Sequence, residues 1–251
     1  MNRLRRRHQR ILRNRVIAGV FLAVILLFAV GGHLTYALHR SVSKPKALPK
    51  GPIRVMAIGS SVAKGWDDKT GGGYLARGVA GYAKGVHHAL PFVNHAVEGE
   101  TAEAALPLLP SWIKAIHPNV LLISWGMLDD ATAKTPLSVF SRTIRQEISL
   151  AIANHETVWV VTPPVTPASY TVNRVSEAQY VSTELAVAHS YPAREVSVFD
   201  VFNQMKAYIA SHHQNYKMYA ADAWHPNTAG HVLAGRLLAH DLLSGSPAFP
   251  N

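Results

Sequence analysis

Five short apolar runs, separated by longer stretches with helical spacing, constrain this chain more than any other feature. They are Ile53 to Ile58 (IRVMAI, ending at Gly59), Pro91 to Ala96, Asn119 to Ser124 (NVLLIS), Thr157 to Thr162 (TVWVVT, ending at Pro163-Pro164) and Glu195 to Phe199 (EVSVF). The first, apolar up to Gly59 but for Arg54, suits a strand buried on both faces, and the others are candidates of the same kind. Between the runs, helical patterns are predicted over about 73–86, 101–116, 136–154, 174–190 and 201–213, with a last helix over about 227–243. Regular strand–helix alternation implies βαβ crossovers and a parallel sheet covered by helices on both sides. In such sheets ligands bind beyond the carboxyl ends of the strands. The loops after the first three strands and before the last helix are therefore the places to look for chemistry.

Charge separates this part of the chain from what precedes it. The sequence has 251 residues and a formal net charge of +10. Residues 1–50 hold 11 Lys/Arg and no acid, which leaves 14 Lys/Arg and 15 Asp/Glu for residues 51–251. The larger part thus carries no basic excess to attract nucleic acid. Seven arginines lie in residues 1–15, and Val16 to Gly32 follows with 17 residues free of charge. That run spans roughly 25 Å as a helix, and His33 to Leu38 extend it to bilayer length. The arginines place a basic segment, 1–15, in the cytoplasm and the remainder outside. We expect 16–38 to be an uncleaved transmembrane anchor, with a cleaved signal segment as the alternative. Residues 39–52 (HRSVSKPKALPKGP, from His39 to Pro52) form a linker, and 53–251 a single domain. There is no Cys, which excludes disulfides, thiolate metal sites and a Cys nucleophile.

Two loops suggest a nucleophile and a base. Gly59-Ser60-Ser61-Val62-Ala63-Lys64-Gly65-Trp66 follows the first strand. It has the spacing of neither a phosphate loop nor a dinucleotide fingerprint, and its serines read either as a helix cap or as a reactive group beside free N–H donors. Before the last helix comes Asp222-Ala223-Trp224-His225-Pro226-Asn227-Thr228-Ala229-Gly230-His231. An Asp three residues before a His, in a turn fixed by Pro, can orient the imidazole and favour its protonated form. Chain order would then be Ser, Asp, His.

Taken together, these residues resemble the SGNH (GDSL-type) hydrolases, a family of esterases and lipases, over about Ile53 to Leu243. The first family block, G-D-S-x-x-x-G, corresponds to Gly59 through Gly65, with Ser60 where Asp is usual and Ser61 as the implied nucleophile. The second, N-x-x-x-x-G, is Asn94 through Gly99, which makes the Gly99 N–H an implied oxyanion donor. The last, D-x-x-H, is Asp222 to His225. The third block departs: the family has G-x-N-D, and this chain has Trp125-Gly126-Met127-Leu128-Asp129-Asp130. Without a gap Leu128 takes the Asn position; with one inserted residue Asp129 does, and we prefer the latter because it turns a polar residue toward the site. Neither provides the amide donor, and losing one such donor costs on the order of 100–1000-fold in rate.

The resemblance implies an α/β three-layer sandwich with a five-stranded parallel sheet in flavodoxin-like order 2-1-3-4-5. It implies hydrolysis of a carboxylic ester, of a lipid or of acyl groups on cell-wall polysaccharide, through an acyl-enzyme. Ser61, Asp222 and His225 are the expected catalytic set, and Ser61, Gly99 and Asp129 line the oxyanion position. No cofactor or metal is called for. The expected partners are the ester substrate and, through 16–38, the membrane. Two alternatives stand: an acyltransferase on cell-surface polymers with the same triad, and a catalytically silent surface-binding domain of this fold. Among other conspicuous residues, His231 is expected to pack or cap, Asp67 and Asp68 to be solvated, and Gly71-Gly72-Gly73 to form a turn at a helix start. Trp66, Trp125 and Trp224 are expected either to pack in the core or to shape an acyl or sugar pocket.

Overall fold

The computed structural model describes residues 51–126 and 128–245. The basic segment 1–15, the segment 16–38 and all of the linker before residue 51 lie outside the described residues. Within them, no helix is long and apolar enough to cross a membrane.

Five parallel strands form one sheet: β1 (Val55–Gly59), β2 (Phe92–Asn94), β3 (Val120–Ser124), β4 (Thr157–Val161) and β5 (Val196–Phe199). Their spatial order is β2-β1-β3-β4-β5, the expected one. Each lies within its predicted apolar run. In β1, β3 and β4 all five residues are buried, as strands covered on both faces must be. The register aligns Gly59 with Ser124, so β1 and β3 end side by side.

The helices are α1 (Ser61–Lys64), α2 (Gly73–Gly85), α3 (Ala102–Ala105), α4 (Leu109–Ile116), α5 (Leu128–Ala133), α6 (Leu137–Ala153), α7 (Ser176–His189), α8 (Val201–Ser211) and α9 (Thr228–Ser244). They pack in two groups, α2 and α8 against α9, and α3, α4 and α7 against α6. The single helix expected over 101–116 is broken into α3 and α4. Pro107 has no N–H to continue the first of them, and Pro110 stands in the opening turn of the second, where a missing N–H costs nothing. The short α1 and α5 were not expected as helices, being too brief to show a period in the sequence.

The α2–α9 contact is the tightest in the domain, and glycine permits it. A Cβ on Gly78 would stand 2.5 Å from Leu238 Cδ2 and 2.9 Å from Leu238 Cβ, and a Cβ on Gly235 would stand 2.6 Å from Arg77 Cβ. The sequence places Gly in the middle of two helices, at a cost in intrinsic propensity of roughly 1 kcal/mol each, because the backbones approach there. Gly78→Val should accordingly lower stability by about 1–3 kcal/mol through overpacking, read as a lower midpoint in denaturant unfolding. An unchanged midpoint would mean that α9 moves aside without cost.

Candidate active site

The nucleophile loop begins where β1 ends. Gly59 lies so close to β3 that a Cβ would overlap the Ser124 carbonyl oxygen. Ser60 is extended (φ −101°, ψ −160°) and precedes α1 without capping it by its side chain. Ser61 is thus the first residue of a helix of four, which Gly65 closes in the left-handed region (φ 91°). At a helix start the N–H of Ser61 has no intrahelical acceptor. The Ser61 side chain is nearly covered, the residue being 9% exposed.

The His comes from a turn that is braced on several sides. Asp222 Oδ1 accepts the N–H groups of Trp224 (2.6 Å) and His225 (2.8 Å), the arrangement by which an Asp side chain fixes its own turn. The His225 carbonyl accepts the Ala221 N–H at 3.0 Å. Asn227 then caps α9 by accepting the Gly230 N–H (3.0 Å), and its amide donates to the Met218 and Ala220 carbonyls. On this frame His225 Nδ1 lies 2.9 Å from Asp222 Oδ2 and 3.1 Å from Oδ1. A carboxylate can only accept, so Nδ1 carries the proton and Nε2 is bare. Nε2 faces Ser61 Oγ at 3.0 Å. Burial raises the Asp222 carboxyl, but the hydrogen bonds from His225 and from the two N–H groups outweigh it and hold its pKa below the ordinary value. Ser61, His225 and Asp222 are therefore brought together in one hydrogen-bonded line from positions 164 residues apart.

Gly99 is carried by the segment that leaves β2. The Val97 N–H donates to the Gly59 carbonyl (3.0 Å), which continues the pairing with β1 past the end of β2. Asn94 Nδ2 donates to the Ala63 carbonyl (3.0 Å), and Lys64 Nζ meets Glu98 Oε1 at 2.7 Å, so this segment is tied twice to α1. Gly99 itself is exposed, with φ 73°, a conformation that favours glycine.

The loop after β3 presses on the nucleophile loop: a Cβ on Gly126 would stand 2.5 Å from Ser60 Oγ. The three residues that compete for the third family block are sent to different places by the first turn of α5. Leu128 is buried. Asp130 is buried too, and its Oδ2 accepts the Ala102 N–H at 3.3 Å. Only Asp129 lies by Ser60 and His225. Burial raises its pKa, while the Ser60 hydroxyl and the charge of His225 pull the other way. Ser60 Oγ otherwise makes no hydrogen bond of ordinary geometry.

The expectation that Asp68 is solvated is overturned. Its side chain is fully covered and meets Arg77 through both oxygens, at 2.7 and 2.9 Å, while the Gly73 N–H donates to Oδ2 at 3.0 Å. The hydrogen bond from Arg77 holds its carboxyl far below the usual range despite burial. Asp67 is exposed. His231 is buried and joins two loops: Nδ1 accepts the Tyr74 N–H (3.2 Å), so Nε2 is the donor to the Trp66 carbonyl (2.9 Å). Of the three tryptophans only Trp125 packs in the core, where its Nε1 donates to Glu147 Oε2 at 3.0 Å. Trp66 and Trp224 are exposed, and the Trp66 ring lies 5.6 Å from that of His225, centroid to centroid. Among the described residues no three His, Asp or Glu side chains gather as a metal site would require.

The sequence model of the GDSL-like lipase/acylhydrolase family matches residues 57–233. The chain therefore belongs to that family of carboxylic ester hydrolases. Comparison with curated proteins gives no match. Among solved structures it is similar to LAE5, an alpha/beta hydrolase enzyme from the metagenome of Lake Arreo, Spain (18% identity, 77% of this chain and 95% of that one, TM-score 0.63). It is also similar to the acetylxylan esterase Axe2 from Geobacillus stearothermophilus (16% identity, 76% and 94%, TM-score 0.62), and to TesA (17% identity, 75% and 97%, TM-score 0.59). At these identities the likeness concerns the fold.

Sequence reasoning missed a set of buried acids. Glu147 on α6 and Glu177 and Glu184 on α7 are fully covered. Their positions were readable, since Glu147 falls on the stripe of Ile144 and Ile148, and Glu184 on that of Val181 and Val187. Burial raises all three, and Glu177 reaches about 7 despite the Ser169 hydroxyl and the Lys206 charge. Glu177 thus binds a proton in the folded chain that the unfolded chain releases above the ordinary glutamate value of 4.5. The stability it contributes is fully present below pH 4.5 and is lost as pH rises through about 7. Glu177→Gln should remove up to about 3 kcal/mol of that pH dependence, so that denaturant unfolding at pH 5 and pH 8 differs less in the variant than in the wild type. Equal differences in both would show that Glu177 stays ionised.

Proposed function

We propose that this chain is a serine esterase that works on the outer face of the cell membrane, held there by residues 16–38, and cleaves carboxylic esters through an acyl-enzyme. The observation that carries the reading is the line Ser61 Oγ, His225 Nε2, His225 Nδ1, Asp222, with separations of 3.0 and 2.9 Å and a tautomer ready to accept the serine proton. Ser61 Oγ attacks the ester carbonyl as its proton passes to His225 Nε2. Asp222 orients the ring and favours the imidazolium. The N–H groups of Ser61 and Gly99 receive the oxyanion, and His225 returns the proton to the leaving alcohol. Water then repeats the sequence on the acyl-enzyme. Asp129 lines the third side of the oxyanion position.

Membrane attachment rests on the seven arginines ahead of the apolar run in the sequence. For substrate we favour acyl groups on surface glycans or lipids. The acetylxylan esterase Axe2, whose variants described as catalytic replace a serine, an aspartate and a histidine, is a structural relative. The exposed Trp66 and Trp224 offer apolar faces beside the triad for a sugar ring or an acyl chain. Hydrolysis is preferred to acyl transfer because the family whose model matches the chain is one of ester hydrolases. A silent binding domain would have no use for the tautomer set by Asp222.

The test is turnover of p-nitrophenyl acetate and octanoate by the full chain in detergent. Ser61→Ala and His225→Ala should each lower kcat by about 10⁴-fold or more, and a fluorophosphonate should label the wild type but not Ser61→Ala. Labelling that survives Ser61→Ala would sink the assignment of the nucleophile.

A further inference from the structure

Asp129 is a partly exposed carboxylate beside the nucleophile loop, and among the described residues no Lys or Arg charge acts on it. Among the described residues its neighbours are the Ser60 hydroxyl and His225. Of the basic side chains along the nucleophile segment, Lys64 is engaged by Glu98 and Arg77 by Asp68, both at 2.7 Å, and Lys69 is exposed. Gly126, in the loop after β3, approaches Ser60 so closely that a Cβ on it would stand 2.5 Å from Ser60 Oγ. Asp129 is followed by Asp130, which faces Ala102 and brings only further negative charge.

On the serine-esterase reading, on which this inference rests, an anion at Asp129 opposes the negative charge that grows on the substrate carbonyl oxygen. A proton on Asp129 would relieve the conflict, and burial favours that proton. But His225 becomes a cation in the same step that creates the oxyanion, and its charge drives Asp129 toward ionisation. The proton is held least well when it is needed most. A cation brought by the substrate has no such weakness, since it attracts both the carboxylate and the oxyanion.

We propose that Asp129 makes this site select esters whose acyl group carries an ammonium on the carbon next to the carbonyl, as in aminoacyl esters. The ammonium donates to Asp129 and, on its other side, to the carbonyl oxygen as that oxygen becomes negative. The substrate thus supplies the donor that the protein lacks. The covalent steps are unchanged. The Ser61 Oγ–carbonyl bond forms as the serine proton moves to His225, the bond to the alcohol oxygen breaks, and that proton leaves with the alcohol. Water then gives one proton to His225 and its hydroxyl to the acyl carbon, and the free amino acid departs as Ser61 regains the proton.

A matched pair of substrates isolates the effect: the 4-nitrobenzyl esters of alanine and of propionic acid, which differ only in the α-ammonium, followed at pH 6.5 by release of the alcohol from full chain in detergent. The wild type should prefer the alanine ester by about tenfold or more in kcat/KM. Asp129→Asn should lower kcat/KM for the alanine ester about tenfold and raise that for the propionate ester, because the amide donates to the oxyanion but does not attract the ammonium. Fluorophosphonate labelling of Asp129→Asn, abolished when Ser61→Ala is added, reports an intact Ser61, and Asp129→Glu should restore part of the preference. Asp129→Asn changing both esters in the same direction, or a wild-type preference for propionate, overturns the proposal while leaving a Ser61-dependent esterase in place. Turnover of neither ester above the Ser61→Ala background removes the esterase reading and this inference with it.

Discussion

The closeness of β1 and β3 at their carboxyl ends governs the rest of the molecule. Gly59 has no side chain because the Ser124 carbonyl occupies its place. That contact lets the two loops leave the sheet at one level, so Ser60 lies on Gly126 and Ser61 opens α1 with its N–H free. Ser124 is itself held: its hydroxyl donates to the Val161 carbonyl at 2.7 Å, and the Tyr74 hydroxyl bonds to it from α2. β4 and α2 are thereby fastened to the strand end that positions the nucleophile. A larger residue at 59 would separate the strands and displace Ser61 from His225, and a misplacement of 1 Å is enough to cost about 100-fold in rate.

The second half of the site arrives from the far end of the chain, and most of its support is hydrogen bonding rather than apolar packing. Asp222 and His225 lie in an exposed turn, whereas α9 behind them is pressed on α2. His231, on α9, spans the gap by holding the Trp66 carbonyl and the Tyr74 N–H at once. Arg77 and Asp68 close the same loop from the α2 side. The loop that follows Ser61 is therefore anchored to both helices that the glycine contacts bring together. Precision at the triad depends on that rigid pair more than on the turn that bears His225.

What was readable in the sequence follows from the range of the forces involved. β1, β3 and β4 were readable because a strand buried on both faces is apolar almost throughout, a purely local signature, whereas the half-buried edge strands β2 and β5 were placed by the alternation with helices. Asp222 and His225 were readable because their contact closes within one turn. The break at Pro107 was misjudged because the apolar period runs through it, although the backbone cannot. Asp68 was misjudged because its partner Arg77 stands nine residues away, across a turn of three glycines, and no helical or strand period connects them. The choice between Leu128 and Asp129 turned on one inserted residue, and Asp129 was preferred only for its polarity. Successive residues of a helix point about 100° apart, so a one-residue slip exchanges a core position for a site position.

The position of Asp129 also bears on why its loop carries so much negative charge. Asp129 and Asp130 sit in the first turn of α5, where carboxylates are favoured by the unpaired N–H groups. Behind them Glu147 and Glu184 are fully buried, and burial raises both well above the ordinary carboxyl value, with the charge of Glu147 raising Glu184 further. The third block and the triad bring three more carboxyl groups, Asp129 itself, Asp130 and the orienting Asp222. Of these, Asp222 is matched by His225 and Asp130 is buried against the Ala102 N–H. Asp129 is the carboxylate whose counterpart has still to come from solution, and its surroundings set the sign of the group that the site receives best.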